Sequence, residues 1–211
     1  MEVIERGVVL CEQCAVTPTI AVFTQNYGRL SVRDRRTNRR IRLQQGQGVR
    51  LVLQHEKGHW FIKEAEFLLL PVGHDHATLF WLHHFFELYY YFLPLEQASN
   101  ELFVHLCTLV RVESAPLSFW QVGVARFFQF LGYGLPQELA IDVASFDKQV
   151  EPAARNLAAN VLHLNEQKEY HCEPVKREQW IARAVRSHPH ASLLKTTTFF
   201  TQLYPHSEVG L

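Results

Sequence analysis

The hydrophobic pattern of the chain changes its period near residue 75, and this change constrains the fold more than any other feature of the sequence. Before that point, short runs of β-branched and alternating apolar residues predict strands separated by turn signals. After it, apolar residues recur every three or four positions, as they do along one face of a helix. The sequence therefore predicts an α+β fold with the strands first and the helices afterwards.

The predicted strands cover residues 3–10, 19–24, 29–33, 49–53 and 60–65. The last two flank the segment 55–59, so they predict a hairpin. Five short strands in about 70 residues predict a small barrel, for which the five-stranded OB fold is a good candidate. We therefore predict an OB-fold nucleic-acid-binding domain, an N-terminal β-barrel, at residues 1–72, and a helical bundle domain at residues 73–211.

Prolines and glycines mark the ends of the predicted helices. The apolar run 79–93 ends before Pro94, which removes a backbone donor and clashes with the preceding turn. This run is shorter than the roughly 20 apolar residues of a membrane span, so it predicts a buried helix and no membrane insertion. Another helix opens at Pro116 and ends before Gly132. The remaining predicted helices cover residues 102–110, 150–164, 174–186 and 189–204.

An unmixed cluster of arginines is the strongest chemical signal. Eight arginines and no lysine lie between Arg29 and Arg50, with Asp34 as the only acid, although the whole chain has a formal net charge of zero. A guanidinium group fits a phosphate through two hydrogen bonds and also stacks on a base. A solvated loop that serves solubility is the alternative, but a cluster without balancing acids favours nucleic-acid binding. The predicted DNA-binding residues are Arg29, Arg33, Arg35, Arg36, Arg39, Arg40, Arg42, Arg50 and Tyr27.

Aromatic residues near this cluster have two possible roles. Phe23 lies on an alternating strand and is predicted to belong to the core. Tyr27 lies in a turn before Gly28, where stacking on a base and packing in the core are both open. The aromatic run at residues 85–92 predicts a helix core rather than a cofactor site, because its spacing is helical.

Cysteines and histidines do not complete a site. Cys11 and Cys14 supply two of the four ligands that a structural zinc needs, and the other two cysteines stand alone. His83 and His84 are adjacent, about 100° apart on a helix, so both cannot easily face one ion. Neither a phosphate-binding glycine loop nor a nucleophile motif occurs. We therefore predict no enzyme, no metal and no cofactor; a metal enzyme that uses the histidine cluster is the alternative.

Several motifs follow one another in a characteristic order. A Phe-Thr-x-x-Tyr-Gly-x-Leu element occupies residues 23–30, the basic stretch follows it, and a Leu-Gly-Tyr-Gly element occupies residues 131–134. Weaker motifs stand at residues 7–10, 62–66, 100–103 and 193–200. Together they resemble the bacterial DNA repair protein RecO family over most of the chain.

The resemblance implies a non-catalytic recombination mediator that binds single- and double-stranded DNA and anneals complementary strands. It also implies two protein partners, the single-stranded-DNA-binding protein and RecR. Many RecO proteins carry a four-cysteine zinc module after the Leu-Gly-Tyr-Gly element, whereas only Cys172 follows it here, so no zinc site is carried over. The family's basic stretch usually mixes lysine with arginine, and here it holds arginine alone.

The acidic tail of the single-stranded-DNA-binding protein would need a basic, partly apolar groove. Residues 75–173 carry 5 basic and 12 acidic side chains, whereas residues 174–211 carry 5 basic and 2 acidic ones. The predicted partner-binding residues are therefore Lys176, Arg177, Arg183, Arg186 and Lys195, which neighbour Trp180, Leu193, Leu194 and Phe199. Solvated faces of two amphipathic helices are the alternative.

A general single-stranded DNA or RNA-binding OB protein without mediator activity is the alternative to the RecO-like function. The first residues carry acids where a signal peptide needs a positive region, so no secretion signal is predicted. We expect a cytoplasmic protein associated with the nucleoid.

Overall fold

The computed structural model describes residues 1–12, 19–36, 42–69, 74–155, 162–163 and 170–196. The chain forms two compact units, of which the first contains residues 1–72 and 86–110 and the second contains residues 73–85 and 111–211. The sequence predicts a single division after residue 72, whereas the contacts also group residues 86–110 with the strands.

The first unit contains a closed five-stranded sheet. Strands β1 (Glu2–Cys11), β2 (Ile20–Thr24) and β3 (Gly28–Asp34) form an antiparallel meander, and β4 (Gly48–Glu56) and β5 (His59–Leu69) form an antiparallel hairpin. Because β5 pairs in parallel with β3 and β4 pairs with β1, the strand order is β1-β2-β3-β5-β4 and the sheet closes on itself. The predicted strands and hairpin are confirmed, as is the coarse α+β class.

Alternating side chains fill the interior of this sheet. In β3, Leu30 and Val32 are buried while Ser31 and Arg33 are exposed, which is the period-2 pattern of a strand with one wet face. The interior is completed by Val9, Ile20, Val22, Val49, Leu51, Leu53, Trp60 and Ile62. Burial of each such side chain stabilises the folded state by roughly 1.5–3 kcal/mol. The exposed positions that alternate with them can carry polar side chains.

The turn between β2 and β3 requires a glycine. Gly28 has a φ of +68°, and a Cβ atom at this position would lie 1.9 Å from the carbonyl oxygen of Gln97. The segment around Gln97 runs beside the start of β3, where the Glu96 backbone N–H donates to the Arg29 carbonyl at 2.9 Å. Residues 95–97 therefore cover this edge of the first unit.

Helices cover another part of the same sheet. Helix α1 (His76–Phe92) contributes residues 86–92 to the first unit, and α2 (Asn100–Leu109) is capped by the Ser99 hydroxyl, which accepts from the Leu102 backbone N–H. Phe23 is fully buried, and its ring centroid lies 5.2 Å from that of Tyr89 and 6.4 Å from that of Phe103. The prediction that Phe23 belongs to the core is confirmed.

In its described residues, the second unit contains three helices in addition to the start of α1. They are α3 (Leu117–Phe130), α4 (Gln137–Arg155) and α5 (Pro174–Ser187). Two short strands, β6 (Val112–Ser114) and β7 (Leu162–His163), pair in parallel, and a 3₁₀ turn covers Ala191–Leu193. Phe119 packs on Phe146 with a centroid distance of 4.9 Å, which joins α3 to α4.

Two helix predictions need correction. Of the helix predicted at residues 150–164, residues 150–155 are the end of α4, which begins at Gln137, residues 162–163 form β7, and the others lie outside the described residues. Leu139, Val143 and Phe146 are buried at helical spacing, so the signal for α4 was present but lay among polar residues. The predicted helix at residues 189–204 contains the 3₁₀ turn, and its residues from 197 onward lie outside the described part of the chain.

Candidate nucleic-acid interface

The outer side of the closed sheet carries three exposed arginines, each on a different strand. Arg33 on β3 and Arg50 on β4 are exposed because their neighbours in sequence point into the core. Arg50 is paired in register with Arg6 on β1, which is also exposed. Sequence analysis had not singled out Arg6, because only the register of β1 against β4 brings it beside Arg50.

Arg35 is held flat against an aromatic ring. Its guanidinium carbon lies 3.4 Å from the centroid of the Phe61 ring, and its Nη1 donates to a Glu56 carboxylate oxygen at 3.1 Å. The Arg35 backbone N–H also donates to the Ile62 carbonyl at 3.0 Å, which extends the parallel pairing of β3 with β5. The side chain of Arg35 is nevertheless 49% exposed, so its plane is fixed while much of it remains open to solvent.

Phe61 is a member of this site that sequence analysis missed as a functional residue. It sits in register with Arg33 on β3, and it is only 4% exposed. The available signal was its alternation with the buried residues Trp60 and Ile62, since neighbouring strand residues face opposite sides. Phe61 therefore supports the arginines from the outer side of the sheet.

Arg36 does not offer its guanidinium to a ligand, which corrects its predicted role. It is 8% exposed, and its Nε and Nη2 donate to the two carboxylate oxygens of Asp34 at 3.0 and 2.9 Å. The Arg36 backbone N–H donates to the same carboxylate at 3.0 Å. This bidentate pair lies at the end of β3. Asp34 therefore neutralises the charge of Arg36 and not that of the whole cluster.

Four further residues predicted to bind DNA differ in exposure and in whether the structure describes them. Arg42 is exposed, whereas Arg39 and Arg40 lie outside the described residues. Tyr27 is half-buried with its ring centroid 5.0 Å from that of Trp60, and it packs against the core. The core alternative for Tyr27 therefore has direct support.

Arg29 is turned toward the helical cover of the first unit. It is half-buried, its Nη1 donates to the Tyr90 carbonyl, and its guanidinium carbon lies 5.3 Å from the centroid of the Tyr90 ring. Burial lowers the pKa of Arg29, an effect that the neighbouring Tyr90 partly offsets. Arg29 thus stands apart from the stack formed by Arg35 and Phe61.

Acidic side chains share the outer face with these arginines. Glu66 is paired in register with Arg50, and the Arg50 Nη1 lies 3.4 Å from a Glu66 carboxylate oxygen. Both side chains are more than half exposed, so solvent screens this pair and it contributes little to stability. An anionic ligand can therefore displace Glu66 from Arg50 at small cost.

The second predicted basic cluster is only partly on the surface. Arg177 is 4% exposed, with its Nε donating to Gln121 at 2.9 Å and its Nη1 donating to the Cys172 carbonyl at 3.2 Å. Its predicted role in partner binding is therefore wrong, since it lies in the interior of the second unit. Lys176 is exposed between two carboxylates, at 3.5 Å from Glu173 and 3.9 Å from Glu138.

The other members of that cluster keep surface positions. Arg183 and Lys195 are exposed, and Arg186 is half-buried. Among the apolar neighbours, Trp180 is half-buried and Leu193 is 50% exposed, while Phe199 lies outside the described residues. A leucine exposed to this extent beside cations is compatible with a basic, partly apolar surface.

Two adjacent histidines of the cluster that the metal-enzyme alternative would use differ in exposure. His83 is exposed, whereas His84 is buried and its Nδ1 lies 2.8 Å from the Thr196 hydroxyl. Burial lowers the pKa of His84 to about 3. No three histidine, cysteine or acidic side chains gather around a possible metal position within the described ranges, and Cys14 lies outside them.

Comparison with known proteins adds no family to this geometry. Neither a family model nor a curated protein matches the chain. None of the helices in the described ranges combines the length and apolar character that crossing a membrane requires.

Proposed function

We propose that this chain is a RecO-like, non-catalytic DNA-binding protein that promotes annealing of complementary strands in recombination and repair. The observation that carries the proposal is the stack of Arg35 on Phe61, which lies on the outer face of a closed sheet beside the exposed Arg33. A charged plane next to a further cation suits a ligand that carries both bases and phosphates.

The strand order β1-β2-β3-β5-β4, with β3 and β5 parallel and β1 closing on β4, supports an OB fold for the first unit. OB folds engage oligonucleotides on an open sheet face and through the loops that join the strands. The hairpin turn at Lys57 and Gly58 and the arginines at the end of β3 lie in such loops. The sequence resemblance to the RecO family supports the same assignment.

The proposed mechanism is charge neutralisation combined with base stacking. Exposed arginines shield phosphates, so two complementary strands approach each other against less repulsion. The guanidinium of Arg35 stacks on an unpaired base and leaves its Watson–Crick edge open, because stacking uses only the face of the base. A second strand can then pair with that base.

An annealing assay tests the proposal. Complementary oligonucleotides, one of them fluorescent, are mixed with the full chain, and the rate of duplex formation is compared with that of a variant in which Arg33, Arg35 and Arg50 are replaced by Gln. The control variant carries Gln at Lys148, Lys176 and Arg183, which removes the same charge from exposed positions of the second unit. We expect acceleration by the wild type and the control, and little by the first variant. No acceleration by the wild type would refute the proposal.

A general single-stranded DNA or RNA-binding protein is the second candidate. It is favoured by the Arg35 and Phe61 stack, since such a stack accepts unpaired bases of either nucleic acid. Annealing of strands already coated with their binding protein separates the two candidates, because only a mediator accelerates it. The implied partners, RecR and the acidic tail of the single-stranded-DNA-binding protein, belong to the first candidate alone.

A further inference from the structure

A pocket of about 170 Å³ lies on the outer side of β2 and β3 in the first unit. Its floor is a row of small side chains that are neighbours across three strands, Cys11, Ala21 and Ser31. Tyr90 and Leu95, from the segment that covers this part of the sheet, also line it. A cavity of about 150 Å³ can hold a molecule of the size of benzene, so this pocket has room for a phosphate or a small carboxylate.

The charged group of the pocket is Arg29, and its partners from Tyr90 are neutral. Its Nε is buried and has no hydrogen-bond partner in the described part of the chain. Tyr90 provides a carbonyl acceptor and a ring face, but both are formally neutral. Burial lowers the pKa of Arg29, and no carboxylate of the described residues counteracts this effect. Arg29 is half-buried, and the Tyr90 partners that it has in this pocket carry no negative charge.

The acid whose backbone contacts that of Arg29 has another partner for its side chain. Glu96 donates its backbone N–H to the Arg29 carbonyl at 2.9 Å, yet its carboxylate oxygen accepts from the Trp60 indole N–H at 3.1 Å. Glu96 therefore fixes the covering segment against β3 without neutralising the guanidinium. Two residues with hydroxyl groups, Thr19 and Ser31, also line the pocket.

We propose that this pocket binds an oxyanion, the phosphate or carboxylate group of a small ligand or of a nucleic-acid strand. The Arg29 guanidinium supplies the charge, and the hydroxyls of Thr19 and Ser31 supply further donors. The small side chains of Cys11 and Ala21 leave the space that the anion occupies. This site is separate from the Arg35 and Phe61 stack, and it does not depend on the annealing function proposed above.

Titration of the full chain with inorganic phosphate, followed by isothermal calorimetry at constant ionic strength, tests the site. Acetate serves as the carboxylate probe. Arg29→Gln removes the charge, and Ser31→Leu fills the pocket from an exposed strand position while leaving Arg29 in place. Lys63→Gln, at an exposed position of β5, is the control for loss of one positive charge. Circular dichroism checks that each variant is folded.

We expect saturable binding of phosphate or acetate to the wild type and to Lys63→Gln. Binding should weaken roughly ten- to a hundredfold in Arg29→Gln and in Ser31→Leu, because charge-assisted hydrogen bonds and the space for the anion are lost. Absence of saturable binding of either probe, or equal affinity in Arg29→Gln, would overturn the proposal.

The source of the anion is decided by a second titration, with a fluorescent single-stranded oligonucleotide. If a strand phosphate occupies the pocket, free phosphate competes with the oligonucleotide and Arg29→Gln weakens its binding. If a small molecule occupies it, oligonucleotide affinity is unchanged in Arg29→Gln while phosphate or acetate binding is lost. Both results support the anion site. A chain that binds phosphate through Arg29 but no oligonucleotide retains this site and loses the proposed DNA function.

Discussion

The Nε of Arg177 donates to the amide oxygen of Gln121 at 2.9 Å, and both side chains are buried between α5 and α3. The amide nitrogen of Gln121 donates in turn to a carboxylate oxygen of Glu178 at 2.8 Å, and Glu178 is 1% exposed. Arg177 also donates to the Cys172 carbonyl, and the Cys172 backbone N–H donates to the buried Asp142 at 2.9 Å. A chain of polar contacts therefore joins three helices of the second unit.

Replacing Arg177 by Met should destabilise the protein by about 3 kcal/mol or more, because it removes the buried guanidinium that donates to the Gln121 amide and to the Cys172 carbonyl. The control is Arg183→Met, which removes an exposed arginine from the same helix and should change stability by less than about 0.5 kcal/mol. Urea unfolding followed by circular dichroism measures both. Equal midpoints for the two variants would contradict a structural role for Arg177.

Replacing Arg33, Arg35 and Arg50 together by Gln should lower DNA affinity and its dependence on salt. Each phosphate contact on a single strand contributes about −0.7 to the slope of log K against log salt, so loss of three contacts should make the slope shallower by roughly 2. Phosphate contacts carry no base information, so affinity should fall similarly for all sequences. Fluorescence anisotropy over a range of salt concentrations measures the slope. An unchanged slope would place the phosphate contacts on other residues.

Replacing Arg35 by Lys separates its plane from its charge. Lysine keeps the cation but has no planar face to stack on a base or on Phe61. We expect single-strand affinity to fall about tenfold, within the range of roughly 1–3 kcal/mol per stacked base, while duplex affinity changes little. Quenching of 2-aminopurine in the strand should decrease in parallel. Arg33→Lys is the control, and equal losses in both variants would argue against a specific stack at Arg35.

Burial of His84 should make stability depend on pH. Its pKa is lowered to about 3 in the folded protein, so between that pH and its ordinary value near 6.5 the unfolded chain binds more protons than the folded one. Stability is therefore fully present above about pH 6.5 and falls by about 1.4 kcal/mol per pH unit as the pH decreases.

The measurement is urea unfolding at several pH values in this window. His84→Asn removes the titrating group but keeps a polar group for the Thr196 hydroxyl, so its stability should depend less on pH than that of the wild type. His83→Asn, at the exposed neighbouring position, should retain the wild-type dependence. An identical pH dependence in His84→Asn would show that other groups cause it.

Local sequence patterns predicted the strands of the sheet well. They predicted poorly which of its arginine side chains can contact a ligand. Alternation located the strands, because one face of each strand packs inside the barrel. The partners of individual side chains depend on contacts that sequence spacing does not encode. Arg36 forms an ion pair with Asp34 because the chain turns at the end of β3. Arg35 stacks on Phe61 because β5 pairs in parallel with β3.

The helical region illustrates the same limit. Pro174 correctly marked the start of α5, since proline is favoured in the first turn of a helix. Arg177 looked like a surface cation because its neighbours in sequence are charged. Its burial follows from α3 placing Gln121 opposite it, a contact between residues 56 positions apart.

The surface around Arg186 and Lys195 is the proposed docking site for the acidic tail of a single-stranded-DNA-binding protein. Arg177 is excluded from this surface by its burial, whereas Arg183 and Lys195 are exposed and Leu193 provides an apolar contact. Reversing Arg186 and Lys195 to Glu should abolish binding of an acidic tail peptide ending in an apolar residue, because like charges then oppose it. Binding of naked DNA should be retained, since these residues lie in the second unit. The control exchanges Lys63 and Lys148 for Glu, which reverses two exposed charges outside the proposed surface. Fluorescence anisotropy with a labelled peptide at moderate salt measures the difference, and unchanged peptide affinity in the first variant would place the partner on another surface.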